Sequence, residues 1–221
     1  KEDSSLNHMK LQHENDLRGF HVATTEVRLQ KKSRYDSFVL SLGAKLDREN
    51  LNVFLKDEDT ECILNGLYLV SGGRHVDHHT LIRHESPKGT SRQLYKGIVT
   101  GKSTAVFNGK VFVPRGSFKT DAAQTNKNLL LSENATVDTK PQLEIYNDDV
   151  KCTHGAAVGQ LDEDQLFYLR SRGIRKDEAV NILTHGFAAE VVNQIADETL
   201  RTGLSNQLWA WLDANRAGKV L

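Results

Sequence analysis

The chain has 221 residues, with 29 basic and 29 acidic side chains, so its net charge is zero when the histidines are neutral. This balance does not indicate a nucleic-acid or membrane-surface partner. No apolar run approaches the roughly 18 residues of a membrane span, and no signal-peptide pattern opens the chain. These properties predict a soluble protein with a sizeable core, in one elongated domain or one domain with a small appendage.

The cysteine content narrows the class of protein. Cys62 and Cys152 are too few for a disulfide framework or a four-cysteine zinc site. Two cysteines therefore favour a reducing compartment. Because the first residue is Lys1 and the only methionine is Met9, we also expect a fragment whose natural start lies upstream.

Short runs of β-forming residues, separated by Gly, Asn, Asp and Ser, extend from His21 to about Val158. Apolar residues alternate in "FVLSLG" (38–43) and in "LNVFL" (51–55), which places them on one face of each run. No helix-length amphipathic pattern interrupts the series. Many short strands of this kind predict a sandwich, a barrel or a solenoid.

An internal repeat bears on that choice. "ECILNGLYLV" (61–70) aligns without gaps on "TAVFNGKVFV" (104–113), and each contains an Asn-Gly pair, Asn65-Gly66 and Asn108-Gly109. The separation of 43 residues corresponds to two turns of a β-solenoid if each coil takes roughly 20 residues. Alternatively, each pair forms the type I′ turn of an ordinary hairpin. The sequence leaves both interpretations open.

Histidines are concentrated in "GGRHVDHHTLIRHES", which contains His75, His78, His79 and His84 together with Asp77. Such a density suggests zinc, but the spacing matches no helical or zinc-finger pattern. On a strand, His75, Asp77 and His79 would share one face, and His78 and His84 the other. We therefore expect polar packing on the outside of a β wall.

A second reactive stretch is "DDVKCTHGAAVG" (148–159), in which His154-Gly155 aligns with the two Asn-Gly pairs as a third corner of the wall. If Cys152 to His154 is extended, both side chains lie on one face. They could then be ligands for iron or zinc, or a nucleophile and its base with poor mutual reach. Two ligands cannot close a tetrahedral site, so a metal would need others from elsewhere or from another chain. The structural alternative is a small buried cysteine beside a corner histidine.

After Gly159 the pattern becomes helical. In "LDEDQLFYLRSRGI", Asp162 is placed to cap a helix, with Gln165 three residues later and Gly173 as the stop. The bulky side chains of "LFY" (166–168) offer apolar surface for a partner.

A second helix is predicted to begin near Lys176, and a short third helix in "SNQLWAWLDANRAGKVL" (205–221). Four apolar residues recur every four positions along the second helix: Leu183, Phe187, Val191 and Ile195. The chain is thus predicted to contain a β array over residues 1–160 and a helical domain over residues 161–221.

The segment from Lys119 to Ile174, which includes "TKPQLEIYNDDVKCTHGA" and "DEDQLFYLRSRGI", resembles the C-terminal half of SufD proteins. These proteins belong to the SufB/SufD family of the SUF iron–sulfur cluster assembly machinery. The resemblance extends upstream through "HVDHHTLIRHE" and "SRQLYKGIVTGKSTAVFNG", and downstream through the second helix. It covers most of the chain and is closer to SufD than to the paralogue SufB.

This resemblance implies a mainly β fold, a right-handed parallel β-helix followed by a small helical domain. It implies a non-enzymatic scaffold that pairs with a SufB-like paralogue and carries the ATPase SufC on its helices, with a homodimer possible in isolation. Cys152 and His154 would contact transient iron or a nascent cluster at the SufB interface, which would supply the missing ligands. No cofactor would be tightly bound. Tyr168, Arg172 and Phe187 lie in the matching helices as candidate ATPase contacts, and the location would be the cytoplasm, or a plastid in a plant or alga.

Two other functions remain open. A β-helix enzyme acting on polysaccharide would need paired carboxylates, and the one candidate pair, Asp148-Asp149, is sent to opposite faces by strand alternation. The aromatic content of the chain, 7%, is also low for a protein that stacks sugars on aromatic rings. A self-associating structural solenoid is the third reading.

Overall fold

The computed structural model describes residues 1–14 and 18–215, in which eleven strands precede three helices. The strands are β1 (Ser5–Gln12), β2 (Phe20–Leu29), β3 (Arg34–Ser41), β4 (Leu46–Leu55), β5 (Glu61–Val70), β6 (His75–His84), β7 (Thr90–Val99), β8 (Thr104–Val113), β9 (Thr120–Leu130), β10 (Thr136–Ile145) and β11 (Val150–Gly159). The helices are α1 (Glu163–Ser171), α2 (Lys176–Val192) and α3 (Glu198–Ala214).

The strands alternate between two parallel sheets. The six-stranded sheet has the order β1-β3-β5-β7-β9-β11, and the five-stranded sheet the order β10-β8-β6-β4-β2. Glu61 pairs with Thr90, and Thr90 with Asp121, so the chain returns to the same sheet after about 30 residues. This is a parallel β-solenoid of about 5 coils, which confirms the predicted fold class.

The Asn-Gly pairs do not form turns. Asn65-Gly66 lies in the middle of β5 and Asn108-Gly109 at the same place in β8, on the opposite sheet. The hairpin interpretation is therefore wrong. The predicted coil length of roughly 20 residues is also wrong, because the two aligned segments are single strands of opposite sheets and each coil takes about 30 residues. A Cβ on Gly66 would lie 2.3 Å from the ring of Tyr95 on β7. This glycine therefore makes room for an interior aromatic ring.

Inward-facing residues of both sheets form the main core, including Leu51, Val53 and Leu55, the alternating residues of β4. Tyr35, Tyr68, Tyr95 and Phe107 are at most 1% exposed. Burying one such large side chain stabilises the fold by about 1.5–3 kcal/mol. The period-2 pattern of these strands thus defines the interior.

The helices pack on the outer face of the six-stranded sheet. Phe38 and Leu40 of β3 and Ile98 of β7 form one hydrophobic cluster with Val191 and Leu208 of α2 and α3. The division into domains 1–160 and 161–221 stays a prediction, since this cluster joins the two segments. No helix in the described residues is both long and apolar enough to cross a membrane.

The first two helices begin where expected, but Ile195, which was predicted on the second helix, lies beyond its end at Val192. The Asp162 carboxylate caps α1 by accepting from the backbone N–H of Asp164 and Gln165, and α2 begins at Lys176. The third helix is wrong in length, since α3 has 17 residues. The last six residues of its predicted segment lie outside the described part of the chain.

Candidate functional site at the open end of the solenoid

β11 is the last strand of the six-stranded sheet, and within the described residues only β9 pairs with it. The five-stranded sheet ends in the same way at β10. In residues 1–14 and 18–215 no further coil covers the inward face of β11, and the stretch "HGAAVG" (154–159) is exposed along its whole length. The solenoid therefore ends in two unpaired strand edges and an uncovered interior face.

Cys152 and His154 both lie on this inward face. β11 is extended, Cys152 is in register with Ala122, and His154 is in register with Gln124, both of which are buried. Cys152 is half-buried against the main core, whereas His154 is exposed. The corner interpretation is wrong, because His154-Gly155 lies in the middle of a strand.

The chemistry of Cys152 is that of an incomplete site. Burial raises the pKa of its thiol, and the negative charge of Asp121 raises it further. A hydrogen bond with the Ala122 backbone lowers the pKa but does not offset these two effects. A neutral thiol is a poor nucleophile and a poor ligand until a cation stabilises the thiolate. No third His, Cys, Asp or Glu of the described chain joins the pair in a group that could hold a metal ion.

A buried polar chain that no sequence motif predicted lies behind His154. Gln124 Nε2 donates to Gln93 Oε1 at 2.7 Å, and Gln93 Nε2 donates to Thr80 Oγ1 at 2.7 Å. The buried Gln124 Oε1 has no hydrogen-bond partner in the described residues. Because it is in register with His154, it is a free acceptor next to the imidazole. The available signal was the inward position of Gln124 between Ala122 and Asn126 on β9.

The other cysteine cannot contribute to the site. Cys62 is fully buried, and burial raises the pKa of its thiol strongly. Register places it three strands from Cys152, about 14 Å away at about 4.8 Å per strand. Both cysteines are accordingly free thiols.

The histidine cluster is divided by β6 as predicted, with His78 and His84 on the inner face. The prediction of packing outside the wall is wrong for these two, since they are 1% and 0% exposed. His78 Nε2 is 3.0 Å from Ser41 Oγ and its ring stacks on Tyr68. His84 Nε2 is 2.9 Å from Ser91 Oγ.

On the outer face of β6 the packing is polar, as expected. His79 Nε2 lies 2.8 Å from Asp77 Oδ1, and Arg48 donates to the other oxygen of Asp77 at 2.5 Å. The cluster therefore consists of buried aromatic hydrogen-bonding groups inside and a surface ion pair outside.

These interior histidines predict acid sensitivity. Burial lowers the pKa of His78 to about 3 and that of His84 to about 4. The folded state favours their neutral forms, whereas the unfolded chain takes up protons below about pH 6.5. The free energy of unfolding is therefore highest above pH 6.5 and falls by about 1.4 kcal/mol per pH unit for each histidine as the pH falls towards 4. Asp47, whose pKa burial raises to about 6, acts in the opposite direction below pH 6.

Urea denaturation at pH 4.5–7 tests this. In His84→Gln, the number of protons taken up on unfolding, which sets the pH slope of the unfolding free energy, should fall by about one. An unchanged slope would contradict neutral burial of His84.

The candidate partner-binding residues divide into two settings. Tyr168 on α1 is 57% exposed, and the Arg172 guanidinium lies 5.3 Å from its ring centre. The neighbouring Phe167 is 73% exposed, the largest exposed fraction among the large apolar residues of the described chain. Phe187 on α2 is half-buried against the solenoid, with Lys96 Nζ 4.1 Å from its ring centre.

Comparison with known proteins decides the family. Residues 1–187 match the family model described as "SUF system FeS cluster assembly, SufBD core domain". The chain belongs to the SufBD family. The family description names iron–sulfur cluster assembly, and a thiol and an imidazole on one face of β11 are ligand types that iron accepts.

Three relatives place the chain within the SufBD family. It is 42% identical to the iron-sulfur cluster assembly protein SufD of Escherichia coli over 199 residues, which are 90% of this chain and 47% of that protein. It is 41% identical to a Synechocystis SufBD family protein, over 88% of this chain and 43% of that protein. It is 38% identical to the chloroplastic protein ABCI7 of Arabidopsis thaliana, over 94% of this chain and 44% of that protein. The chain spans about half the length of the curated relatives it matches.

Family membership favours iron–sulfur cluster assembly over the polysaccharide enzyme and the purely structural solenoid. Asp148 and Asp149, the carboxylates considered for a polysaccharide enzyme, lie in a bend before β11. The prediction that strand alternation sends them to opposite faces is therefore wrong, because these two residues are not in a strand.

Proposed function

We propose that this SufBD-family chain is a non-catalytic scaffold subunit on which an iron–sulfur cluster is assembled. In this proposal the open end of the solenoid pairs with a SufB-like paralogue. The observation that supports it best is the coincidence, on β11, of an unpaired strand edge with half of a metal-binding site.

The edge is suited to close pairing of backbones. An unpaired strand presents free N–H and C=O groups to a second chain, which can continue the hydrogen bonding of the sheet. "GAAVG" (155–159) carries only small side chains apart from Val158, so a partner strand can approach without steric conflict. A second copy of this chain would use the same surface, and a homodimer in isolation is part of the proposal.

Pairing would complete the chemistry of the site. Cys152 and His154 supply one soft and one borderline ligand, and the partner supplies the remainder. Iron arriving as cargo would stabilise the thiolate that burial now disfavours. The cluster would be held transiently, with no tightly bound cofactor, in a bacterial cytoplasm or a plastid.

The helical segment is proposed to dock the ATPase SufC. Phe167, Tyr168 and Arg172 form an exposed aromatic and cationic surface on and just after α1, and aromatic and Arg side chains are enriched at interfaces. Phe187 would support this surface from its position between α2 and the solenoid.

The site is tested with Cys152→Ser and His154→Ala in a complex reconstituted with the SufB-like and ATPase components. Both residues lie at the exposed end, so the unfolding free energy should change little, by about 0.5 kcal/mol. The yield of iron–sulfur cluster, measured by its visible absorbance, should fall about tenfold because a ligand is lost.

Thr153→Ala is the matched control, since Thr153 is exposed on the opposite face of the same strand. A cluster yield equal to that of the unmodified chain in both Cys152→Ser and His154→Ala would reject the assignment of the site.

A further inference from the structure

A second group of potential metal ligands lies inside the first coils, far along the chain from β11. His21 on β2 is in register with Asp47 on β4, and Glu49 follows two residues later on the same inward face. One ligand atom from each of these three residues lies within 4.8 Å of the others. This convergence comes from the solenoid register, since 28 residues separate the outer two in sequence.

Asp47 is buried with fewer partners than a carboxylate requires. It is 0% exposed, and in the described residues Ser41 interacts with it, but neither carboxylate oxygen has a partner in full hydrogen-bond geometry. Leaving such a group unpaired costs several kcal/mol, so natural structures rarely tolerate it without a bound cation or water. The carboxylate faces His21 and Glu49, so a bound cation is expected between these three side chains.

His21 is oriented as a metal ligand. Its Nδ1 is 2.9 Å from Glu14 Oε1, which is the contact that fixes Nδ1–H as the donor and leaves the Nε2 lone pair free. Nε2 lies 3.0 Å from Glu49 Oε1, yet among the described residues neither atom has a partner in hydrogen-bond geometry, although Lys10 forms an ion pair with Glu49 Oε1. Two donor atoms that are each about 2.1 Å from one metal ion and about 90° apart are about 3.0 Å from each other. The separation is therefore that of neighbouring ligands of one ion.

The local charge is negative when the carboxylates are ionised. Glu14, Asp47 and Glu49 then carry three negative charges, and Lys10 Nζ, 2.5 Å from Glu49 Oε1, supplies one positive charge. Lys10 is 21% exposed, so its flexible side chain can withdraw towards solvent. A divalent ion would replace it and neutralise the carboxylates of Asp47 and Glu49.

We propose that His21, Asp47 and Glu49 form a binding site for a divalent transition-metal ion inside the solenoid, with Glu14 holding His21 in the required tautomer. One imidazole nitrogen and two carboxylate oxygens suit Fe²⁺, Mn²⁺, Co²⁺ or Zn²⁺. The site is distinct from Cys152 and His154, and it does not depend on the proposed scaffold function.

Co²⁺ is the probe, because its visible absorption bands report ligand number. After treatment with a chelator, the full chain should bind one Co²⁺ at the site. Asp47→Asn and His21→Gln should each weaken binding at least about tenfold. Lys10→Met should tighten binding several-fold, a gain that misfolding cannot produce.

His79→Gln is the control, since His79 pairs with Asp77 on the outer face of the wall and should leave the affinity unchanged. Three results would overturn the proposal: no Co²⁺ bound, affinity unchanged in both Asp47→Asn and His21→Gln, or weaker binding in Lys10→Met. Because the readout is binding to the isolated chain, its failure is separable from failure of cluster assembly in the complex.

Discussion

Val158→Lys is expected to weaken pairing with the SufB-like partner at least about 100-fold. Val158 lies on the inward face of β11 and is 45% exposed in the single chain, so the new ammonium group remains solvated there. In the paired state the same group would be buried without a counter-ion, which costs several kcal/mol. A titration of the partner, followed by sedimentation, measures the change.

Val22→Lys is the control for this experiment. Val22 lies on β2, the edge strand at the opposite end of the five-stranded sheet, and is 67% exposed. The same substitution there should leave the affinity within a factor of about three. If Val22→Lys weakened pairing while Val158→Lys did not, the interface would be at the other end of the solenoid.

Lys96→Ala is expected to lower the free energy of unfolding by about 2–4 kcal/mol. Lys96 is 1% exposed on the outer face of β7, beneath α2. Its Nζ donates to the Phe187 carbonyl at 2.6 Å and pairs with Glu190 at 2.5 Å. Truncation removes this buried side-chain donor from the helix carbonyl and from Glu190, and it opens a cavity between the helices and the sheet. Urea denaturation at pH 7 measures the loss.

Lys127→Ala provides a matched comparison. Lys127 pairs with the same Glu190 carboxylate at 3.1 Å, but its side chain is 41% exposed. Exposed ion pairs contribute about 0–1 kcal/mol, because water screens them. Equal losses in the two variants would show that burial does not set the strength of this contact.

Much of the fold could be predicted because strand alternation is a local property. The period of two placed Leu51, Val53 and Leu55 in the core, and Asp162 identified the start of α1. The coil length could not be predicted, because an Asn-Gly pair is equally compatible with a turn and with space for a ring such as Tyr95. That distinction depends on residues 29 positions away.

The candidate site was predictable to the same extent. Cys152 and His154 are two residues apart, so one extended strand is sufficient to place them on one face. Gln124 and the group formed by His21, Asp47 and Glu49 were missed, because the register between coils brings them together. Polar residues at inward positions of a strand can indicate such a site. Which of them lie together can be predicted only when the neighbouring strands and their register are known.

Hydrogen–deuterium exchange at the β11 amides, with and without the SufB-like partner, tests the central claim most directly. If the open end is the pairing surface, the amides of residues 150–159 that face away from β9 should exchange at least about tenfold more slowly in the complex. The exposed amides of β2 should exchange at an unchanged rate. Exchange at β11 that is the same in the free chain and in the complex would contradict the account.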